Sequence, residues 1–261
     1  MSDRDGTNLQ AGIREARAWV AEAERVVVLT GAGISTESGI PDFRGKDGLW
    51  TKNPEAMKLS TIQHYLADAE VRKQSWQGRL APGNWRAEPN AGHAALVELE
   101  RRGQLHTLVT QNVDGLHQKA GTHHDRVVEI HGTMQEFVCM DCGDRGPIDG
   151  VLDRVRNGDE DPCCHGCSGI LKTATISFGQ SLVAEDLDRA FKAATQCDLL
   201  LAVGTTLSVY PIADMVPRAR AQGARIVILN GDPTDLDDHA GVVLRGQIGE
   251  VLPQVVAARA H

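Results

Sequence analysis

Behind the apolar run Val26-Val27-Val28-Leu29 the chain reads TGAGISTESGIPDFRGKDG from Thr30 to Gly48. A glycine-rich turn directly behind a buried strand is where a nucleotide diphosphate is held. Gly31 and Gly33 have no Cβ, so backbone N–H groups there can come close to phosphate oxygens. The small residues Ala32, Ser35 and Thr36 let a helix begin with its positive dipole end toward the anion. Next comes Pro41-Asp42-Phe43-Arg44, a proline-fixed turn with an acid, an aromatic ring and a guanidinium, which mere packing would leave in water. Thr36 stands where the dehydrogenase fingerprint has its third glycine, and no acid closes an obvious second strand, so hydride transfer is poorly supported. The segment reads as a dinucleotide cradle, with a bare strand-to-helix turn as the plainer alternative.

Two other groups of residues have the types for chemistry. Cys139-x-x-Cys142 and Cys164-x-x-Cys167 are two tight knuckles offering four thiolates to a tetrahedral Zn²⁺, and a closed four-thiolate site has no open position at which to activate water. Cys163 is adjacent to Cys164, so a knuckle with a three-residue gap to Cys167 is the alternative. The stretch between the pairs is polar and contains glycine, and the metal is expected to stand in for a core. His131, in Ile130-His131-Gly132, falls just past an apolar run with a glycine behind it that leaves room for a ligand. Histidine titrates near neutrality and suits proton transfer, although with ten histidines in the chain position alone argues weakly.

GAGIS followed by GIPDFRG resembles the sirtuin family of NAD-dependent protein deacylases. So do Gln111-Asn112-Val113-Asp114-Gly115-Leu116-His117, the pair His131-Gly132, the doubled cysteine motif and Gly204-Thr205-Thr206-Leu207-Ser208, in the family's order and over nearly the whole chain. The resemblance of Pro162-Cys163-Cys164-His165-Gly166-Cys167 to the family's P-x-C-x-x-C favours Cys164 as the zinc ligand. It implies an enzyme that consumes NAD to remove acyl groups, acetyl first, from protein lysines, with structural zinc. By that resemblance the acyl oxygen attacks the anomeric carbon of the nicotinamide ribose and nicotinamide leaves. His131 then takes a proton from a ribose hydroxyl, and the products are free lysine, nicotinamide and O-acyl-ADP-ribose. Asn112 and Asp114 would hold the ribose, its water and the nicotinamide amide, Phe43 would shield the reactive face, and Arg44 would support phosphates and ribose. Gly204, Thr205, Thr206 and Ser208 would form a second turn under the cofactor, beside Gln111. Asn230, Gly231 and Asp232 would meet the adenosine ribose, and the backbone near Ile248 the adenine. From the residues alone, Asn112 and Asp114 also suit an Asx turn at a strand end.

Two departures bear on substrate. Gln180 replaces the acid that usually follows Phe-Gly in the family, which removes a negative charge near the peptide groove. Family members acting on acidic acyl groups clamp the acyl carboxylate with a Tyr and an Arg three residues apart; here Trp76 and Arg79 have that spacing. An indole offers one donor and more bulk, so uncharged acyl-lysine is the expected substrate, and an exposed Arg beside a half-buried Trp is the bland alternative. An ADP-ribosyltransferase using the same NAD site, told apart by whether turnover needs an acylated lysine, and a non-catalytic NAD-binding interaction protein are the other readings.

The elements that position these residues alternate along the chain. Strand-like runs end at Thr30 and span Leu105–Thr110, Val127–Ile130, Thr173–Phe178, Asp198–Val203, Arg225–Leu229 and Val242–Leu244. Amphipathic stretches cover Ala91–Arg102, Ala184–Thr195 and Pro211–Gln222. Such alternation predicts an α/β fold with a doubly wound, Rossmann-like parallel sheet and ligands at the carboxyl ends of its strands. That domain is expected to comprise residues 1–45, 90–136 and 172–261, with a helical insertion at 46–89 and a zinc-binding module at 137–171. The chain, at 261 residues and 41% hydrophobic, can bury a sizeable core. Its net charge of −8 and pI near 5.7 argue against a nucleic-acid partner. The polar start MSDRDGTNLQ, the lack of any apolar stretch near 20 residues and the paired cysteines point away from a membrane and to the cytoplasm.

Overall fold

The structure is a computed structural model and describes residues 3–42, 60–81 and 83–258, with backbone alone for 3–7, 83 and 84. Among the described residues nine strands follow in chain order: β1 (Val26–Thr30), β2 (Leu105–Thr110), β3 (Val127–Glu129), β4 (Gly132–Cys139), β5 (Arg145–Pro147), β6 (Leu171–Thr175), β7 (Leu199–Val203), β8 (Arg225–Leu229) and β9 (Val242–Leu244). Six of them form a parallel sheet in the order β3-β2-β1-β7-β8-β9. Every residue of β1 and β7 is buried, as strands covered on both faces require, and their near-continuous Val/Leu sequences follow from that.

Among the described residues the α-helices are α1 (Asp3–Glu22), α2 (Ile62–Ala67), α3 (Ala69–Arg79), α4 (Gly83–Arg86), α5 (Ala91–Arg101), α6 (Leu116–Ala120), α7 (Asp149–Arg156), α8 (Ala184–Gln196), α9 (Met215–Ala221) and α10 (Ile248–Val256). Ile13, Ala16 and Val20 of α1, Leu96 and Leu99 of α5, and Val251, Leu252 and Val255 of α10 cover one face of the sheet. Ala190, Ala193 and Ala194 of α8 with Met215, Val216 and Ala219 of α9 cover the other. The sheet is therefore doubly wound. Its strand order reverses between β1 and β7, and ligands bind at such a switch point.

Three expectations are corrected. The run Thr173–Phe178 is no strand of the parallel sheet: β6 ends at Thr175 and pairs antiparallel with β4 in a separate sheet, β5-β4-β6. Hydrophobic content alone does not distinguish a parallel strand from a half-buried antiparallel one. The element behind β1 is a 3-10 turn, Ala32–Ser38, ended by Gly39 at φ 86°, and not the start of an α-helix. A third correction concerns the module carrying the cysteines, which has an apolar cluster of its own: Ile148, Val151, Leu152 and Val155 pack with Leu171 and with Trp76, which α3 contributes.

Candidate active site

A cavity of about 1160 Å³ opens at the switch point. One wall is made by the turns after β1 and β7, which touch backbone to backbone. Gly31 N–H donates to Val203 O at 3.1 Å, Gly33 N–H donates to Gly204 O at 2.9 Å, and a Cβ on Gly33 would lie 2.8 Å from the Gly204 Cα. Gly204 is at φ 65°, and a Cβ there would overlap Ile34 N. The N–H groups of Gly31 and Gly33 are thus committed within the protein. These glycines are needed because two turns must meet without side chains between them, a different reason from the phosphate approach expected of them.

Side chains lock the same wall. Asn90, the N-cap of α5, accepts from Gly92 N–H and donates through Nδ2 to Ile34 O at 2.7 Å, tying that helix to the 3-10 turn. Gln111 donates to Thr205 Oγ1 at 2.9 Å, and Thr206 pairs with Ser208 at 2.8 Å. Glu37, not anticipated, lines the cavity and accepts from Gly249 N–H at 2.8 Å.

His131 lines the cavity half-buried. Its Nδ1 is 3.0 Å from Gln111 O, an acceptor only, so Nδ1 carries the proton and Nε2 keeps its lone pair. Burial lowers the pKa of His131, partly countered by the Gln111 carbonyl, and the ring is neutral at pH 7. Gly132, at φ 72°, admits no Cβ, which would overlap the Ala174 carbonyl. Asn112 lines the cavity and donates through Nδ2 to Gly31 O at 3.1 Å and Ser35 Oγ at 3.2 Å, which leaves Oδ1 as an acceptor. Ser35 Oγ donates onward to Asp114 at 2.8 Å, and the other Asp114 oxygen accepts from Leu116 N–H at 3.0 Å.

The structure brings Gly31, Ala32, Gly33, Thr36, Asp42, Gln111, Asn112, His131, Gly204, Thr205, Thr206, Asn230, Gly231, Asp232 and Ile248 to this one cavity. Ser35, Asp114 and Ser208 are not among its lining residues and stand behind it, joined to it by the hydrogen bonds above. Asn230 Nδ2 donates to Asp232 O at 2.9 Å, which shapes the turn after β8. Phe43 and Arg44 lie outside the described residues.

The opposite wall comes from α2, α3 and β6. Trp76 does not reach the cavity: it is 1% exposed and packed in the cluster under the cysteines. On α3 the stripe Arg72, Trp76, Leu80 turns to that module, where Arg72 grips Asp161 with bonds of 2.8 and 2.9 Å, while Ser75 and Arg79, also four apart, turn to the cavity. Spacing alone could not separate these two faces. Tyr65 also lines the cavity and donates to Leu171 O at 2.8 Å; burial, then Asp161, raises its pKa. Arg79 is half-buried and not exposed, and Trp76 is fully buried; burial lowers the Arg79 pKa, and its guanidinium donates to Thr173 Oγ1 at 3.4 Å. Lys172, 2% exposed, donates to the carbonyls of Thr173 and Thr175, and burial, then Arg79, pushes its pKa down to about 8. A lysine inside an otherwise strand-like run was the available signal, since lysine is almost never fully buried.

The sulfur atoms of Cys139, Cys142, Cys164 and Cys167 all lie within 4.8 Å of one another, with Cys139–Cys167 at 3.5 Å and Cys142–Cys164 at 3.7 Å. Zn–S bonds of about 2.3 Å in a tetrahedron have edges of about 3.8 Å, so the four thiols fit zinc. Cys163 is exposed and outside the cluster. None of the four cysteines lines the cavity.

The sequence model of the Sir2 family matches residues 31–211. NAD-dependent protein deacetylase 2 of Streptomyces coelicolor is 47% identical over 88% of this chain and 96% of its own. NAD-dependent protein deacetylase 1 of Bradyrhizobium diazoefficiens is 41% identical over 94% of this chain and 96% of its own. Among solved structures, a Sir2 enzyme superposes with TM-score 0.85 at 38% identity, covering 95% of this chain and 97% of the other. A Sir2 protein with deacetylated p53 peptide and 3'-O-acetyl ADP ribose gives 0.85 at 30% identity, covering 93% and 96%.

Proposed function

The chain belongs to the Sir2 family, and from that premise we propose that its cavity binds NAD against the glycine turns and an acylated protein lysine against the opposite wall, so that the enzyme is an NAD-dependent protein lysine deacylase. Deacetylation is the activity for which its relatives are named. The observation that carries the reading is His131, held between the two walls with Nδ1–H on the Gln111 carbonyl and a neutral Nε2 available. Bound NAD supplies a nicotinamide leaving group and an electrophilic ribose carbon. His131 Nε2 takes the proton from the ribose hydroxyl that must become a nucleophile. Asn112 presents Oδ1 to the ribose and its water, and Asp114 fixes Asn112 through Ser35, which makes it a positioning residue. The two walls exclude bulk water from a centre where positive charge develops.

The cysteines would hold one structural zinc, clamping the hairpin end of β4 to the loop before β6. We place the enzyme in the cytoplasm, where six cysteines without a disulfide remain reduced; among the described residues no helix is long and apolar enough to cross a membrane. The test is mass spectrometry of acetyl-lysine peptide incubated with the protein, with and without NAD. NAD-dependent loss of the acetyl mass with release of nicotinamide is expected. ADP-ribose gained by an unacylated peptide would support the transferase reading in its place.

A further inference from the structure

We propose that the turn entering β3 is a second metal site, made by His123, His124 and Asp125, that takes a divalent transition-metal cation, zinc first. It is separate from the cysteine cluster and the cavity and does not rest on the deacylase reading. In a regular helix or strand consecutive side chains point apart, so three adjacent residues seldom meet. Here His123, at φ −64° and ψ 136°, is extended and caps the 3-10 turn His124–Arg126. The change of direction brings the side chains together: one ligand atom from each lies within 4.8 Å of the other two. Asp125 faces both rings, with Oδ2 3.5 Å from His123 Nδ1 and Oδ1 3.1 Å from His124 Nε2. Zinc bonds to nitrogen and oxygen of about 2.0–2.2 Å in a tetrahedron have edges of about 3.4 Å, so these separations suit ligands around one ion. Two imidazoles and a carboxylate favour zinc, nickel or copper over magnesium or calcium, which take oxygen ligands.

The backbone of the turn is fixed before any ion arrives. Glu100 of α5 accepts from His123 N–H at 3.1 and 3.3 Å, and Arg126 donates to His106 O at 3.2 Å. Arg189 of α8 donates to the carbonyls of Asp125 and Val127. Both guanidiniums are thus spent on carbonyl oxygens. Among the described residues neither a lysine nor an arginine pairs with the Asp125 carboxylate, whose partners are the two imidazoles. His123 Nδ1 accepts from Asp125 N–H over a long 3.4 Å, so its lone pair already faces into the turn, and an ion would displace only a weak contact. All three side chains are exposed, which lets water fill the remaining coordination positions. The plainer alternative, a surface ion pair of histidine and aspartate, is worth little and has no use for a second imidazole on the same carboxylate. β3 is the outermost strand of the sheet, three residues long, and leads through Ile130 to His131. An ion at its entry would steady that edge from the end opposite the cavity, and none of the three residues lines the cavity.

The experiment takes the untagged full chain, dialysed against a weak chelator so that only tightly held metal remains, and titrates it with zinc chloride by calorimetry above the pH range in which histidine protonates. One further zinc per chain is expected, with a Kd of about 1–10 µM, and saturating zinc should raise the thermal unfolding midpoint, because the site exists only in the native turn. His124→Gln and Asp125→Asn should each weaken this binding by at least about tenfold, the low end of what a lost partner costs a metal site. Replacing both histidines by glutamine should remove it. Without added zinc the variants should unfold at the wild-type midpoint, since the side chains they change are exposed. Failure to bind a further zinc, or a further zinc that every variant retains, overturns the site. So does magnesium that displaces zinc at equal concentration, because the imidazoles would then take no part in the binding.

Discussion

The two walls of the cavity are built by different means. On the glycine side, backbone meets backbone: turns that follow β1 and β7 exchange hydrogen bonds and leave no space for a Cβ at Gly33 or Gly204. On the facing side, side chains from α2, α3 and β6 make the surface: Tyr65 and Lys172 are buried against backbone carbonyls, and Arg79 makes one long contact with Thr173 Oγ1. A wall of backbone can be altered hardly at all without losing its shape, whereas a wall of side chains can be rewritten one residue at a time. Constancy of the consumed nucleotide and variety of the acyl group are what such a division allows.

The largest expected effect is at the junction of the walls. His131→Ala should lower deacylation by about 10²–10⁴-fold, the range for a lost general base, while NAD affinity by calorimetry stays within about threefold; turnover near wild type would remove His131 from the chemistry. Next, elemental analysis should find one zinc per chain in the wild type and none in Cys164→Ala. Without its metal the module should also lose thermal stability, loosening the β4–β6 wall and raising KM for peptide more than for NAD. Cys163→Ala should do neither, and the reverse pattern would transfer the ligand role to Cys163.

Gly204→Ala tests the other wall. A left-handed alanine that also collides with Ile34 N should weaken NAD about 10–100-fold, or about 1.4–2.7 kcal/mol, with peptide affinity much less changed. Equal losses for both ligands would mean that the walls are not separable.

The last effect lies outside both walls and is read from pH. His117 is buried behind β1, with Nε2 3.0 Å from Thr30 Oγ1 and its ring 4.9 Å from that of His93; burial, then His93, pushes its pKa down to about 3. The unfolded chain binds a proton at this residue below about pH 6.5 and the native chain does not. Stability should therefore fall as pH falls from about 6.5 toward 3, by about 1.4 kcal/mol per unit. His117→Gln should flatten urea midpoints measured between pH 7 and 5, and an unchanged slope would place the acid sensitivity elsewhere.

The glycine wall was legible in the sequence because each half of it is a local word behind a buried strand, and β2, β8 and β9 fall on their expected residues. What joins the halves was not legible: that Gly33 N–H goes to Gly204 O is a long-range fact. The facing wall was misread because its residues come from three separate segments. Arg79 and Trp76 share a helix but face different neighbours, and Lys172 sits in a strand whose partner, β4, was not anticipated. Half-polar GTMQEFVC gives no clean alternation, and its burial pattern is correspondingly mixed. Helix α1 was also passed over, its first turns being polar, although Ile13, Ala16 and Val20 carry a helical period.

The embrace of Gly33 and Gly204 has a further consequence for the life of the protein. A binding surface completed only when the beginning and the far end of the fold have come together does not exist in the unfolded chain, so at the site proposed for it NAD would recognise the native state alone. Cofactor then acts as a folding ligand, adding about 2.7 kcal/mol at one hundred times its Kd. A fall in NAD would slow turnover and also leave a larger fraction of the enzyme open to proteolysis, coupling its abundance to the nucleotide it consumes.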